Sequence, residues 1–396
     1  MRSKILGSTL IIAGTTIGAG MLAIPLASAG LGFTHSIILM VAMWMLMSYT
    51  ALLMLEVHQH APERATLNSL ARQFLGKKGQ WVASASTLFL LYALCAAYIA
   101  GGGSQFHAKL NTLGVAADVP QHVGTLIFTG LVATVVILGT YKVDIINRGL
   151  FALKIILLGL SLALLLPLGE GENLVTQPLE KGLLISAIPV MFTSFGFHGS
   201  IPSVVAYTGL NIKVLRKVML VGSALPLLIY ILWQAASFGV LGAQTLAENS
   251  SLGMFIQSIS DAVGSTRVAN AISLFADLAL ATSFLGVSLG LFDFMADMLK
   301  RPASIQGRLQ TGLVTFLPPM LIALYYPQGF ITALGFASLA LVMLAVALPV
   351  LMVKKIRQLG LNHDRYQVSG GKAALSIAMI GGLCVIASQL VHIFGQ

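Results

Sequence analysis

An all-helical protein that crosses a membrane many times is the fold class this sequence predicts, and three observations carry the expectation. Of 396 residues, 57% are apolar and only 9% are charged. Many apolar runs exceed the roughly 18 residues needed to span a hydrocarbon core. The basic residues fall in short segments between those runs, so the formal charge of +10 reports membrane topology and no nucleic-acid partner.

The spans follow in order. The first, 5–27, is too long for a secretory signal, so it reads as a retained helix. The second, 33–55, is an unbroken apolar run stopped by Glu56 and Pro62. The third, 82–104, follows the basic Lys77 and Lys78, and the fourth, 123–140, follows Pro120. The fifth, 147–167, carries Lys154. The sixth, 184–207, follows Pro178, and the seventh, 218–240, follows Lys213, Arg216 and Lys217. The eighth is 269–296; the ninth, 309–326, follows Pro302 and Arg308. The tenth, 329–352, precedes Lys354 and Lys355, and the last, 373–394, follows Lys372. Pro62, Pro120, Pro178 and Pro302 stand at helix boundaries, where a residue without an N–H is tolerated.

With the amino terminus inside, all of the 23 Lys and Arg residues except Lys109, Lys181 and Arg267 fall in inside segments. That bias predicts a cytoplasmic amino terminus and, with an odd number of spans, a carboxyl terminus outside. One missed span would invert every later loop. The outside connection 241–268 is mildly polar and has room for a short surface helix. Cys95 and Cys384 both lie in apolar segments, which supports neither a disulfide framework nor a metal cluster. No soluble domain separates out, so residues 1–396 read as one transmembrane unit.

Two of these spans are interrupted. Gly14-Thr15-Thr16-Ile17-Gly18-Ala19-Gly20 occupies the middle of the first, where an ordinary membrane helix has little use for three glycines and two threonines. Backbone at membrane depth must satisfy its own hydrogen bonds unless it lines a cavity or is buried in protein. A plainer reading is that Gly14 and Gly18 form a GxxxG packing face. Against it stands a second interruption, Ser194-Phe195-Gly196-Phe197-His198-Gly199-Ser200, at the matching place in the sixth span. Five spans per group invert the second group (about 184–352) relative to the first (about 5–167). Paired breaks in inverted halves point to a central transport site. Half-helix amino ends attract a carboxylate and freed carbonyls receive an ammonium group, so the implied solute is a zwitterion.

The runs GTTIGAGMLAIPLASAGLGF, SAIPVMFTSFGFHGSIPS, FADLALATSFLGVSLGLFDF and GRLQTGLVTFLPP resemble the hydroxy and aromatic amino acid permeases, within the amino acid, polyamine and organocation superfamily. The likeness covers nearly the whole chain. It implies a leucine-transporter-type five-plus-five inverted repeat with an additional eleventh helix, in the bacterial inner membrane. It also implies import of an aromatic amino acid, with L-tyrosine expected ahead of tryptophan, phenylalanine or a hydroxy amino acid, by proton symport with no cofactor. Residue composition and spacing alone reach only a secondary transporter of a small zwitterion.

The substrate-contacting residues expected are Thr15, Thr16, Ile17, Gly18, Ala19 and Gly20 in the first break and Ser194, Phe195, Gly196, Phe197 and His198 in the second. An aromatic wall should be completed by Tyr92 or Tyr98, which are about 240° apart on a helix and cannot both face one site. His198 could hydrogen-bond a substrate phenol, carry a proton, or be a satisfied structural group. Lys154 lies about 10 Å inside the fifth span. It could snorkel to the interface or point inward and take part in proton exchange; by the family resemblance it stands where sodium-coupled relatives hold sodium. Thr282 and Ser283 supply the hydroxyls such relatives use, which keeps sodium as a less favoured alternative. Asp277 is a carboxylate at membrane depth, which marks a proton path, an amine contact or a structural pair. Asp293 and Asp297 are expected at the inner mouth, and Glu56 is expected to be solvated.

Other classes fit less well. A channel would show a repeated filter or subunit symmetry. An enzyme would show clustered nucleophiles, metal ligands or a nucleotide motif, and Gly101-Gly102-Gly103 has no such context.

Overall fold

The computed structural model describes residues 2–112, 120–176, 181–249, 251–301, 304–361 and 365–394. Pro178 and Pro302 lie outside them. Every element among the described residues is helical. The first span is α1 (Arg2–Thr16) and α2 (Gly20–Ala27), followed by α3 (Gly32–His58), α4 (Leu67–Thr112), α5 (Gln121–Leu138) and α6 (Thr140–Leu165). A short α7 (Gly171–Val175) precedes α8 (Lys181–Ser194) and α9 (Ile201–Thr208), the two parts of the sixth span. Then come α10 (Ile212–Glu248), α11 (Leu252–Val263), α12 (Thr266–Met298), α13 (Ile305–Tyr325), α14 (Phe330–Val342), α15 (Leu348–Gln358) and α16 (Gly371–Phe394).

Nine helices among the described residues are long and apolar enough to cross a membrane, or ten when the bent α1–α2 pair counts as one span. Helix α13 corresponds to the ninth span of the sequence; it is helical over 21 residues but falls short of the others in apolarity. Gln306, Arg308, Gln310, Pro318 and Pro319 account for the deficit.

Several helices run past their expected ends. Helix α4 starts fifteen residues early because Gly76, at φ 72°, joins a short helix to the span; only glycine enters that region without a Cβ penalty. Helix α10 likewise continues past a bend at Gly242, and α11 fills the outside connection with Leu252, Phe255, Ile256 and Ile259 turned to the core. Between α14 and α15 the chain forms a wider π turn at Met343–Ala347, immediately before Pro349. A proline inside a helix frees the carbonyl one turn back, and a π turn absorbs that mismatch.

Helix α4 packs against α14, α5 and α12, while α10 packs against α1 and α3 and α12 against α6. Leu6, Ile38, Leu131, Ile156, Leu228 and Ile377 point outward and exposed. An apolar outer surface costs nothing when the surrounding solvent is hydrocarbon.

Glu56 is not solvated. It has 0% exposure and accepts two hydrogen bonds from Arg357 of α15, at 2.8 and 2.7 Å, and one from the Val368 amide at 2.8 Å. Its place at a span end suggested water, but the segment after α15 folds back over it, and a carboxylate can be buried when it is paired and hydrogen-bonded.

Candidate functional site

The two breaks meet. Helices α1 and α2 bend by 48° at Ile17–Ala19, and the sixth span loses helical geometry over Phe195–Phe197 before a single 3-10 turn at His198–Ser200 leads into α9. A Cβ added to Gly20 would lie 2.9 Å from Ser194 Oγ. Thr15 Oγ1 and Ser200 Oγ share a hydrogen bond of 2.9 Å. Small residues therefore let the breaks approach each other as closely as packed backbone permits.

The third side is built by α6 and α12. The Lys154 ammonium, 2% exposed, donates to Ile17 O at 2.9 Å and to Thr282 Oγ1 at 3.2 Å, and it sits 4.5 Å from the Phe151 ring centre. It points inward and does not snorkel. Thr282 in turn donates to Leu278 O at 2.8 Å. Ser283 Oγ accepts from the Ala19 amide at 2.9 Å, and a Cβ on Gly18 would lie 2.8 Å from that same oxygen. Three chain-distant helices thus close on one non-helical turn. The amides of Gly18 and Gly20 make no hydrogen bond among the described residues, which leaves two N–H groups at the start of α2 available to an anion.

Sequence reasoning missed the group that joins the breaks. The Tyr230 hydroxyl of α10, fully buried, lies 2.6 Å from Thr16 O and 2.9 Å from Ser194 O, so its single proton is shared between one carbonyl of each break. Its ring packs on Phe195 at 5.2 Å. Tyrosine is a common residue in membrane helices, and nothing in the spacing of α10 sets this one apart. The available signal was the need of two interrupted helices for a donor, since freed carbonyls in a buried place must be satisfied.

The remaining expected residues divide. Tyr98 is buried, whereas the Tyr92 hydroxyl donates to Val314 O of α13 at 2.8 Å and belongs to that packing. Phe195 and Phe197 are fully buried at the second break. Gly196 is packed against Leu341, its added Cβ lying 3.0 Å from that side chain. His198 is turned onto α3, with Nε2 2.9 Å from Thr50 Oγ1. The Thr50 hydroxyl also lies 3.2 Å from Met47 O, and His198 Nδ1 is buried with no hydrogen-bond partner among the described residues. Asp277 lies away from the breaks and pairs with Lys109 of α4. Among the described residues no group of three or more His, Cys, Asp or Glu side chains could hold a metal.

What this arrangement brings together is two backbone amides without a hydrogen bond among the described residues, several buried aromatic rings, and one buried ammonium held on a carbonyl and a hydroxyl. Comparison with known proteins identifies the family. A tyrosine-specific transport system 1 of Haemophilus influenzae is 44% identical over 97% of this chain and 96% of its own length. A tryptophan-specific transport protein of the same organism is 36% identical over 98% and 96%. Among solved structures, MhsT in complex with L-phenylalanine superposes with a TM-score of 0.64 over 97% of this chain and 98% of its own, at 14% identity. That likeness shows the fold, which is of the leucine-transporter type. The sequence profile of the tryptophan/tyrosine permease family matches residues 1–389, and the chain belongs to that family of amino acid transporters.

Proposed function

We propose that the protein imports L-tyrosine across the bacterial inner membrane by proton symport with alternating access. The observation that carries the coupling is the Lys154 ammonium, bound to Ile17 O and Thr282 Oγ1. Those are the carbonyl and hydroxyl that a sodium ion would need, and a fixed ammonium beside them repels a second cation. The free amides of Gly18 and Gly20 suit the substrate carboxylate. Phe195, Phe197 and Tyr98 suit an aromatic side chain, in keeping with a site that is mostly apolar with few polar groups. The preference for tyrosine is supported by the relative at 44% identity, a tyrosine-specific system. Alternating access is supported by a recess of about 490 Å³ between the start of α6 and α12, lined by Asn147, Arg148 and Gly286 among others. Gly286 lies within one helical turn of Ser283. On the charge pattern, this recess opens to the cytoplasm.

Uptake into proteoliposomes tests the reading. Labelled tyrosine, tryptophan, phenylalanine and serine are each offered under an imposed proton or sodium gradient. Tyrosine should accumulate best and only under the proton gradient, and Lys154→Ala should lose that accumulation while still exchanging substrate. Accumulation driven by sodium alone would overturn the coupling, as would full proton-driven accumulation by Lys154→Ala; preference for tryptophan or serine would overturn the substrate.

A further inference from the structure

The end of the molecule that the charge pattern assigns to the cytoplasm carries a second recess, of about 500 Å³. Gln59 at the end of α3, Ile212, Lys213 and Arg216 in the first turns of α10, and Arg365 and Tyr366 after α15 line it. Three positive side chains from two distant stretches of chain converge there, and no carboxylate is among the lining residues. Elsewhere the paired cations find protein acceptors: Arg148 pairs with Asp144, Arg357 with Glu56, and Arg308 donates to Val136 O and Ile137 O. Among the described residues, neither guanidinium group of the recess is in a salt bridge. Arg216 lies over the Tyr366 ring at 4.8 Å, and Arg365 donates to Gln59 O. Among the described residues, Glu63 accepts from the amide of Leu210, also a lining residue, at 3.4 Å, and Glu56 pairs with Arg357. Asn211 caps the amino end of α10 through Val214 N, so the positive end of a 37-residue helix faces the same space.

Orienting a membrane protein requires positive loops, but not the convergence of three positive side chains around one recess. We propose that this recess binds a phosphate group, presented by the headgroup of an anionic phospholipid or by soluble phosphate. Two guanidinium forks and an ammonium match phosphate oxygens in geometry and charge. The recess lies at headgroup level, where anionic lipid is concentrated. Occupancy has a mechanical consequence. The start of α10 continues directly from α9, the second part of the broken sixth span, while the 365–368 segment is anchored on Glu56 of α3. A bound phosphate ties these together and restrains α9, so it slows turnover. The turnover effect rests on the transport reading above; binding does not.

The test uses the purified full chain, delipidated in neutral detergent. Phosphatidylglycerol, phosphatidylcholine of matching chains and inorganic phosphate are titrated and retained ligand is read by native mass spectrometry. Three proteins are compared: wild type, a recess triple variant (Lys213→Gln, Arg216→Gln, Arg365→Gln), and an equal-charge control (Lys77→Gln, Lys78→Gln, Lys142→Gln) at exposed positions. Each basic side chain at an anionic surface contributes about fivefold, so the recess variant should bind phosphatidylglycerol about a hundredfold more weakly while the control stays close to wild type. Competition by inorganic phosphate would assign the soluble ligand, and its failure the lipid headgroup; either supports the site. Equal weakening in both triple variants, or no wild-type preference for phosphatidylglycerol over phosphatidylcholine, would overturn it. Should the triple variant misassemble, Arg216→Gln alone, checked for an unchanged Tm, carries the same comparison with about a fivefold effect.

Discussion

Gly18 shows how much a missing Cβ can decide. A side chain there would place its first carbon 2.8 Å from Ser283 Oγ, the oxygen that accepts the Ala19 amide. Gly18→Leu must either push α12 away or unseat the turn, and overpacking of that kind costs roughly 1–3 kcal/mol. Uptake by Gly18→Leu should fall by about tenfold or more while the amount of protein in the membrane stays normal, because the loss is confined to one turn. Initial uptake rates normalised to membrane content check this; normal transport would return the glycines to a packing role. Lys154 makes the complementary point about charge. Sequence left it between snorkelling and pointing inward, since both fit a lysine about two turns from a helix end. Only the position of Ile17 O and Thr282 Oγ1, two acceptors drawn from other helices, selects the inward orientation.

At the level of elements, the breaks depend on α10. Tyr230 reaches both Thr16 O and Ser194 O, and its removal leaves two buried carbonyls without a donor. Losing a buried hydrogen bond in this way costs about 1–3 kcal/mol. In Tyr230→Phe, KM for tyrosine should rise roughly tenfold with Vmax changing less, because the ring keeps its packing on Phe195 and only the alignment of the breaks is lost. A fall in Vmax with KM unchanged would refute that role. The second element-level joint is Glu56, where α3, α15 and the segment at Val368 meet. Glu56→Gln removes the charge opposite Arg357, which is 18% exposed. Breaking a buried pair costs several kcal/mol, and partial access of water to Arg357 places this one near 3 kcal/mol. A clear drop in Tm measured in detergent is expected, and an unchanged Tm would mean that Val368 and water suffice.

For the whole molecule, the inverted repeat and the charge asymmetry make a joint statement about topology. With a cytoplasmic start and an odd number of spans, a reporter fused after Gln396 should be active only outside the inner membrane, and one fused after Lys78 only inside. Activity of both on one side would require a different number of spans, and α13, the least apolar of the long helices, would be the one to re-examine. Much of this level was legible in the residues. Span positions follow from runs of apolar side chains, and the two interruptions from glycines and threonines placed where a helix would not choose them. The Glu56 pair was not legible, because nothing local distinguishes a carboxylate facing water from one covered by a segment three hundred residues later. Tyr92 and Tyr98 pose a related problem: rotation on the helix separates their directions, but only the Val314 carbonyl, on another helix, shows that the Tyr92 hydroxyl is engaged there. The sequence by itself determined the membrane class, the order of spans and the two interruptions, since a bilayer imposes apolar length and backbone satisfaction on each segment separately. Tertiary structure alone decided which groups satisfy the breaks, because a freed carbonyl specifies only that a donor must come, and which helix supplies it depends on how all the others pack.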